Sequence, residues 1–522
     1  MLEKEQKSSN TSAHSPINTA DERQFFDIVL LSPPSRMINH YRPPVGLMYV
    51  GGFLTHHGLR VKIIDVLLKE QIRNDRFFDT IEITLNRVRQ QMLDEFAKVK
   101  TKIVGISCYT PEYPEVLDLA KAIRKIDPQV KLIAGGIHAT LYPQELLEEG
   151  EIDFCVLGEG EVTTLELVRK LLSNPKGSFA QIHGLAYLDE HSKKTIITPP
   201  RALAENIDEI SYPDYRLIDM DYYTNANPYA IRGCFLRSAY LLSSRGCPSN
   251  CTFCVAKNLR KYSGYGRVRS AESLITELKD LKSRFAIDAF YFIDDLFAID
   301  KKNVQKFCQL LKDEGLNLLW GCSSKVSTLN EEVLKAMAYA GCVQIDFGVE
   351  RGSDNALKHI KKGITVEMIK RIFGFCSKYG IRTFANMLVN VPGETEEDLQ
   401  DILNLLDKIH PQVVSLNIFT PYPGTEIYNN GHYKFKKEEY PLLSKSQIML
   451  IRRFPDKFKF SRHNIDLEKW IGENSRRYNK IIPNLKFYFS PIYWRTLIWS
   501  KAKMNYLAQL KLLIREFINQ KF

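Results

Sequence analysis

From Phe25 to about residue 175 the apolar positions follow two alternating rhythms. Short runs rich in Ile, Val and Leu near 26–31, 60–65, 103–107, 130–134 and 153–156 have the length and β-branched content of buried strands. Between them, near 45–57, 76–98, 114–126 and 161–173, apolar residues recur every three or four positions, the period of an amphipathic helix. Strand and helix taking turns in this way predict an α/β unit with a doubly wound parallel sheet. GLAYLDEHSKKTIIT then predicts a β-hairpin, and a connector through Tyr212, Pro213 and Asp214 leads into a second alternating series. Its strands read as 239–244, 288–293, 317–322, 343–349, 381–389 and 413–419, with helices near 271–284, 330–340 and 365–379. TEED at 395–398 has the pattern of a capping box opening another helix. Six βα units predict an incomplete (β/α)6 barrel of the TIM type.

Beyond about residue 440 the alternation stops, and a basic, aromatic, mainly helical stretch runs to Phe522. The predicted organisation is a disordered arm (1–24), a doubly wound domain (25–175), a hairpin and connector (176–235), a partial barrel (236–435) and a helical accessory region (436–522). With 44% hydrophobic and 25% charged residues among 522, the chain has the composition of an ordinary globular protein of two or three domains. No apolar run approaches a membrane span and the first twenty residues lack a secretory h-region, so a cytoplasmic protein is expected. The net charge of +11 is unevenly spread: seven Lys or Arg against one Glu fall between Asn484 and Phe522. Nucleic acid is therefore not the expected partner. That tail has the aromatic and basic residues for peripheral membrane contact, although a cap packed across the barrel is the leading expectation.

Three of the ten cysteines, Cys247, Cys251 and Cys254, crowd into RGCPSNCTFC, directly after the first strand of the second series. Thiolates are soft ligands, and three on one short loop can grip an iron–sulfur cube while leaving one iron open. Spacing alone also leaves zinc open, with a distant fourth ligand such as Cys234, although no second C-x-x-C knuckle is present. Cys308, Cys322, Cys342 and Cys376 are isolated and read as small buried apolar residues.

C-x-x-x-C-x-x-C after the first strand of a βα barrel, with Phe253 before the third cysteine, resembles the signature of the radical S-adenosylmethionine (SAM) superfamily. The resemblance spans roughly 236–430 and implies a [4Fe–4S] cluster on the three cysteines, with SAM bound at the open iron and cleaved to a 5′-deoxyadenosyl radical. It also implies SAM contacts from Asp294 and Asp295 in FIDDLF, from Ser323, Lys325 and Glu350, and from Val391 and Pro392 beside the adenine. PYPGTEIY (421–428) resembles the motif after the sixth strand. Two positions depart from the pattern: Lys325 stands where relatives often have Arg, and Arg351 where a small residue commonly follows the Glu.

The first unit, through PPVGLMYVGGFLTHHGLRVKIID and VLGEGEVTTLEL, resembles the cobalamin-binding domain fused to many radical SAM enzymes. That resemblance implies that Ser107, Tyr109, Gly135, Gly136, Gly158, Glu159 and Gly160 lie near the corrin or its nucleotide tail. No Asp-x-His-x-x-Gly occurs, so cobalamin is expected base-off, and His138 reads as an ordinary loop histidine. Together the resemblances imply C-methylation of a small molecule, fed by an external low-potential donor of flavodoxin or ferredoxin type. The sequence names no catalytic residue beyond the cofactor sites. Oxidative cyclisation or rearrangement without methyl transfer is the nearest alternative. A methylthiotransferase lacks its usual cysteines in the first domain, where only Cys108 and Cys155 occur. A non-enzymatic cobalamin sensor with structural zinc is the alternative of another class.

Overall fold

The computed structural model describes residues 23–35, 42–66, 77–189 and 192–479, apart from 211, 228, 235, 432, 433, 445 and 446. Most of the predicted amino-terminal arm and the basic tail, with its expected cap and membrane contact, lie outside the described residues.

The first sheet contains β1 (Ile28–Leu31), β2 (Val61–Ile64), β3 (Ile103–Ser107), β4 (Lys131–Gly135) and β5 (Phe154–Val156), followed by β6 (Leu185–Leu188) and β7 (Thr195–Ile197). Its order is β2-β1-β3-β4-β5-β6-β7. The first five strands run parallel, and the chain reverses its direction of travel across the sheet between β1 and β3, where such sheets open a crevice. The hairpin is not merely a connector: β6 pairs antiparallel with β5, so the sheet continues past residue 175. β1 shows why its sequence is apolar without a break. Ile28 and Leu30 pack with helix Val45–His56 on one face, and Val29 and Leu31 pack with helix Tyr113–Ile126 on the other.

The second sheet contains β8 (Ser238–Leu241), β9 (Ala289–Phe297), β10 (Leu319–Ser324), β11 (Cys342–Glu350), β12 (Arg382–Val389) and β13 (Val413–Ile418). They are all parallel and paired in sequence order, which makes an open six-stranded barrel. Side-chain parity sorts β9 into two faces. Phe290 and Phe292 join Phe307 and Trp320 in the layer under the helices, while Tyr291 and Ile293 pack with Tyr240. The predicted capping box is present: Thr395 and Asp398 exchange bonds at the start of helix Glu396–Ile409. Ile231, Cys234 and Leu236 pack with Ala289, Leu319 and Val343, plugging the end from which the strands start.

The accessory region is helical where described, with helices Gln447–Arg453 and Leu467–Tyr478. It touches both units. Tyr440 packs on Tyr113 and His138 of the first unit, and Asn479 clasps edge strand β13 through Val414 N (2.7 Å) and Val414 O (2.9 Å). No helix among the described residues is long and apolar enough to cross a membrane.

Candidate active site

The cysteine loop leaves β8 through Gly246, whose φ of +82° and whose closeness to Gly264 O (2.6 Å from an added Cβ) admit no side chain. Arg260, on the helix that follows, ties the loop down by donating to Cys247 O (3.2 Å), Asn250 Oδ1 (2.7 Å) and Ser249 O. Two segments from other strand ends hold it between Cys251 and Cys254: Thr252 N donates to Ile360 O, and Ile427 N to Thr252 O, both at 3.1 Å. Cys247 and Cys251 are buried and Cys254 is half-buried, all as free thiols close enough to influence one another electrostatically. Burial pushes the Cys254 thiol up to about 11.

The residues expected around SAM gather on this loop to different degrees. Phe253 packs against the cluster of Val391, Ile360 and Phe419, so the aromatic before the third cysteine and the VNVPGET loop share one apolar wall, with Pro392 half-buried beside it. Lys325 reaches the loop directly, its Nζ donating to Ser249 Oγ at 3.1 Å. Ser323 shares a hydrogen bond of 3.0 Å with the Tyr291 hydroxyl. Glu350, at a φ of +71°, accepts from Lys362 Nζ at 2.8 Å. Lys362 escaped the sequence reading because nothing in KHIKKG marks one lysine as buried.

FIDDLF lies within β9 rather than after it, and the parity of the strand separates its two carboxylates. Asp294 falls on the helix-facing side, where it accepts from Ser243 N (2.6 Å), Ser244 N (3.1 Å) and Ser243 Oγ. Burial raises its pKa to about 7. It braces the end of β8 through these three bonds. Asp295 falls on the lumen side with its side chain accessible, yet surrounding protein still raises its pKa. Its charge acts both on Cys254 and on Tyr109 of the first unit. Arg351 is also structural: it is buried, pairs with buried Glu394 and donates to Leu388 O at 2.7 Å. Glu394 in turn meets His463 Nε2 at 3.0 Å, which ties the accessory region to VNVPGET.

In the first unit, Ser107, Tyr109, Gly135, Gly136, Gly158 and Gly160 all line one cavity at the carboxyl ends of the strands, walled further by Leu47, Val50 and Thr164. Glycine lining is what a broad flat ligand needs, and a Cβ added at Gly135 or Gly46 would meet nothing within 4 Å. The residues present therefore fit a bulky planar group lying on backbone. Glu159 points elsewhere: it pairs with Arg267 and, at 3.5 Å, with Arg245, bridging the first unit to the barrel. His138 is fully buried among Tyr113, Tyr142 and Tyr440, and burial lowers its pKa to about 3. It is not among the residues lining the cavity.

No three His, Cys, Asp or Glu side chains among the described residues converge closely enough to hold a single metal ion. Cys234, the fourth ligand considered for zinc, sits in the plug at the other end of the barrel. Three soft thiols brought together on one short loop are the donor set that an iron–sulfur cube takes.

Comparison with known proteins agrees with this geometry. The Radical SAM superfamily model matches residues 241–406, and the B12 binding domain model matches 37–168. An uncharacterized methyltransferase of Pyrococcus horikoshii is 32% identical over 77% of this chain and 82% of its own length. The anaerobic magnesium-protoporphyrin IX monomethyl ester cyclase of Rubrivivax gelatinosus is 27% identical over 74% of this chain and 66% of its own. Among solved structures, the radical SAM methyltransferase TsrM from Kitasatospora setae, with cobalamin and a [4Fe–4S] cluster bound, superposes with a TM-score of 0.63 at 19% identity. That match covers 77% of this chain and 74% of TsrM, and it shows the shared fold. With a barrel, a three-cysteine loop and a glycine-lined sheet cavity in one chain, this protein belongs to the radical SAM superfamily, in the branch that carries a B12-binding domain, and is an enzyme using a [4Fe–4S] cluster, SAM and cobalamin.

Proposed function

We propose that this enzyme methylates an unactivated carbon of a small-molecule substrate. The observation that carries the proposal is that the helix leaving the cysteine loop packs on the sheet cavity: a Cβ at Gly158, which lines that cavity, would stand 2.6 Å from Tyr262 of helix Ala256–Ser263. Two cofactor cradles joined this closely allow a substrate carbon to lie between a hydrogen-abstracting centre and a methyl donor. When bound, the cluster and SAM supply the radical and the cobalamin supplies the methyl group.

The chain's own part is positioning and exclusion of water. Cys247, Cys251 and Cys254 hold the cluster on a loop fixed by Arg260, Ile360 and Ile427. The apolar wall of Phe253 and Val391 packs the adenine, while Lys325 and the Glu350–Lys362 pair take the polar end of SAM. Ser107, Gly135, Gly136, Gly158 and Gly160 admit the corrin to the sheet. Asp295 and Tyr109 stand near both cradles, each with its pKa raised by burial. An external low-potential protein of flavodoxin or ferredoxin type delivers the electron.

The second reading, oxidative cyclisation without methyl transfer, is favoured by the similarity to the magnesium-protoporphyrin ester cyclase. Anaerobic reconstitution followed by turnover of a metabolite extract with methyl-deuterated SAM separates the two. Methylation predicts a product carrying the labelled methyl, together with 5′-deoxyadenosine and S-adenosylhomocysteine. Deoxyadenosine with no labelled product would overturn it in favour of cyclisation.

A further inference from the structure

A buried lysine is rare unless something holds it, and Lys362 is buried. It follows helix Asp354–His359, and its ammonium sits between a carboxylate and the cysteine loop. It donates to Glu350 Oε1 at 2.8 Å, stands 5.7 Å from the centre of the Phe253 ring, between Cys251 and Cys254 in sequence, and lies within electrostatic reach of both thiols. Its partner is equally unusual. Glu350 holds a left-handed backbone, a conformation that is strained for a residue with a side chain and that persists where the surroundings enforce it. Gly348 completes the arrangement: a Cβ there would stand 2.7 Å from Lys362 Nζ and 2.5 Å from Glu350 Oε1. A buried cation, a strained carboxylate and a glycine inside a strand all serve one ion pair. Apolar side chains of similar size would fill the same space at no such cost, so filling space does not explain the pair.

We infer that Lys362 and Glu350 form an electrostatic pair that sets the reduction potential of the cluster on Cys247, Cys251 and Cys254. This rests on the radical SAM assignment above. A cluster that accepts one electron gains one negative charge. A fixed cation beside two of its thiolates favours that reduced form, and a fixed carboxylate opposes it. Lys362 therefore raises the potential and Glu350 holds the rise back. Lys325, bonded to the same loop through Ser249, adds a second cation within reach of Cys251 and Cys247. None of these side chains is a ligand, and the electron itself comes from the external donor.

The test is an EPR-monitored redox titration of the anaerobically reconstituted full chain without added SAM, comparing Lys362→Met, Lys362→Arg and Glu350→Gln with the unaltered protein at matched iron and sulfide content. The expected result is a lower midpoint for Lys362→Met, a higher one for Glu350→Gln and a value near the original for Lys362→Arg. Loss of a purely structural pair would move both neutral variants in the same direction or leave both unchanged, and either outcome overturns the inference. Should Lys362→Met fail to retain a cluster, the sign for Glu350→Gln decides, and an unchanged or lower midpoint refutes it. Failure of the family assignment looks different: the unaltered chain would then take up no cluster or cleave no SAM under dithionite, whatever the variants do.

Discussion

Gly135 ends β4 with an ordinary strand backbone and gives its carbonyl to Cys108 N at 2.8 Å. A Cβ added there meets no atom within 4 Å, so the empty protein has room for a side chain. Gly135→Ala should leave the fold intact and stabilise it by about 0.4–1 kcal/mol, because the unfolded chain loses freedom while the native backbone is unchanged. Cobalamin binding should respond in the opposite sense. A methyl group standing where the cofactor rests on backbone pushes it off by about 1 Å, and gaps of that size forfeit a quarter to a half of each dispersion contact. A loss of about 1.5 kcal/mol, or roughly tenfold in affinity, follows for alanine. Valine, with two further carbons, should lose about 3 kcal/mol or more, above 100-fold. Gly136 is the control: its φ is +94° and its Cβ would stand 2.9 Å from Cys108 O, so Gly136→Ala should damage the fold as well. The measurements are thermal unfolding of the apoprotein and equilibrium dialysis with hydroxocobalamin. If Gly135→Val melts at or above the original temperature and still binds cobalamin with unchanged affinity, the corrin does not lie on this cavity.

Asp294 carries a pH-dependent signature. Its folded pKa of about 7 stands above the ordinary 3.8, so its favourable contribution is complete below pH ~4 and is lost as pH rises through 7, to the extent of about 4 kcal/mol. Asp294→Asn removes that slope, and urea midpoints should show the variant gaining on the original protein between pH 5.5 and pH 8; a constant difference would refute the assignment. Arg351→Met leaves the buried Glu394 carboxylate without its guanidinium and should cost about 3–5 kcal/mol in urea unfolding, with much of it recovered by adding Glu394→Gln. Recovery of nothing in the double variant would mean that packing, not charge, is what Arg351 supplies. His138, neutral and enclosed by tyrosines, should leave cobalt without a protein nitrogen, so the EPR spectrum of bound cob(II)alamin should lack nitrogen superhyperfine splitting both in the original protein and in His138→Gln. Splitting that vanishes in the variant would place His138 on the metal.

The elements were legible because periodicity reports burial, and burial is what both sheets share. The strands expected at 103–107 and 381–389 appear as Ile103–Ser107 and Arg382–Val389. That Gly135, Gly136, Gly158 and Gly160 line one cavity and that Cys247, Cys251 and Cys254 share one loop was legible in residue type and spacing. Charged side chains were less so, because a carboxylate has the same letter whichever way it faces. Asp294 and Asp295 are adjacent in sequence, yet one braces Ser243 and the other faces the lumen, and only the extension of β9 through Phe297 sets which is which. Glu159 reads as part of a glycine loop and serves as an interdomain ion pair. Lys362 and Glu394 become meaningful only through partners 12 and 43 residues away.

The same long-range polar contacts explain how two separate cradles can serve one reaction. Tyr49 of helix Val45–His56, Tyr215 of the connector, and Arg269 and Glu277 of the barrel meet in one buried cluster, in which Glu277 pairs with Arg269 and accepts from the Tyr215 hydroxyl. Arg245, next to the cysteine loop, stacks on the Tyr49 ring at 4.8 Å and pairs with Glu161 of the first unit at 2.6 Å. A hydrophobic seam would bind the units but let them slide, since apolar contact is not directional. Buried ion pairs with several donors fix register, because any displacement leaves a charge unpaired at a cost of several kcal/mol. Transfer between two cofactors tolerates little misplacement: an error near 1 Å at the reacting atoms is enough to slow a reaction about a hundredfold. The polar seam between the sheet and the barrel thus holds the two cradles in one register.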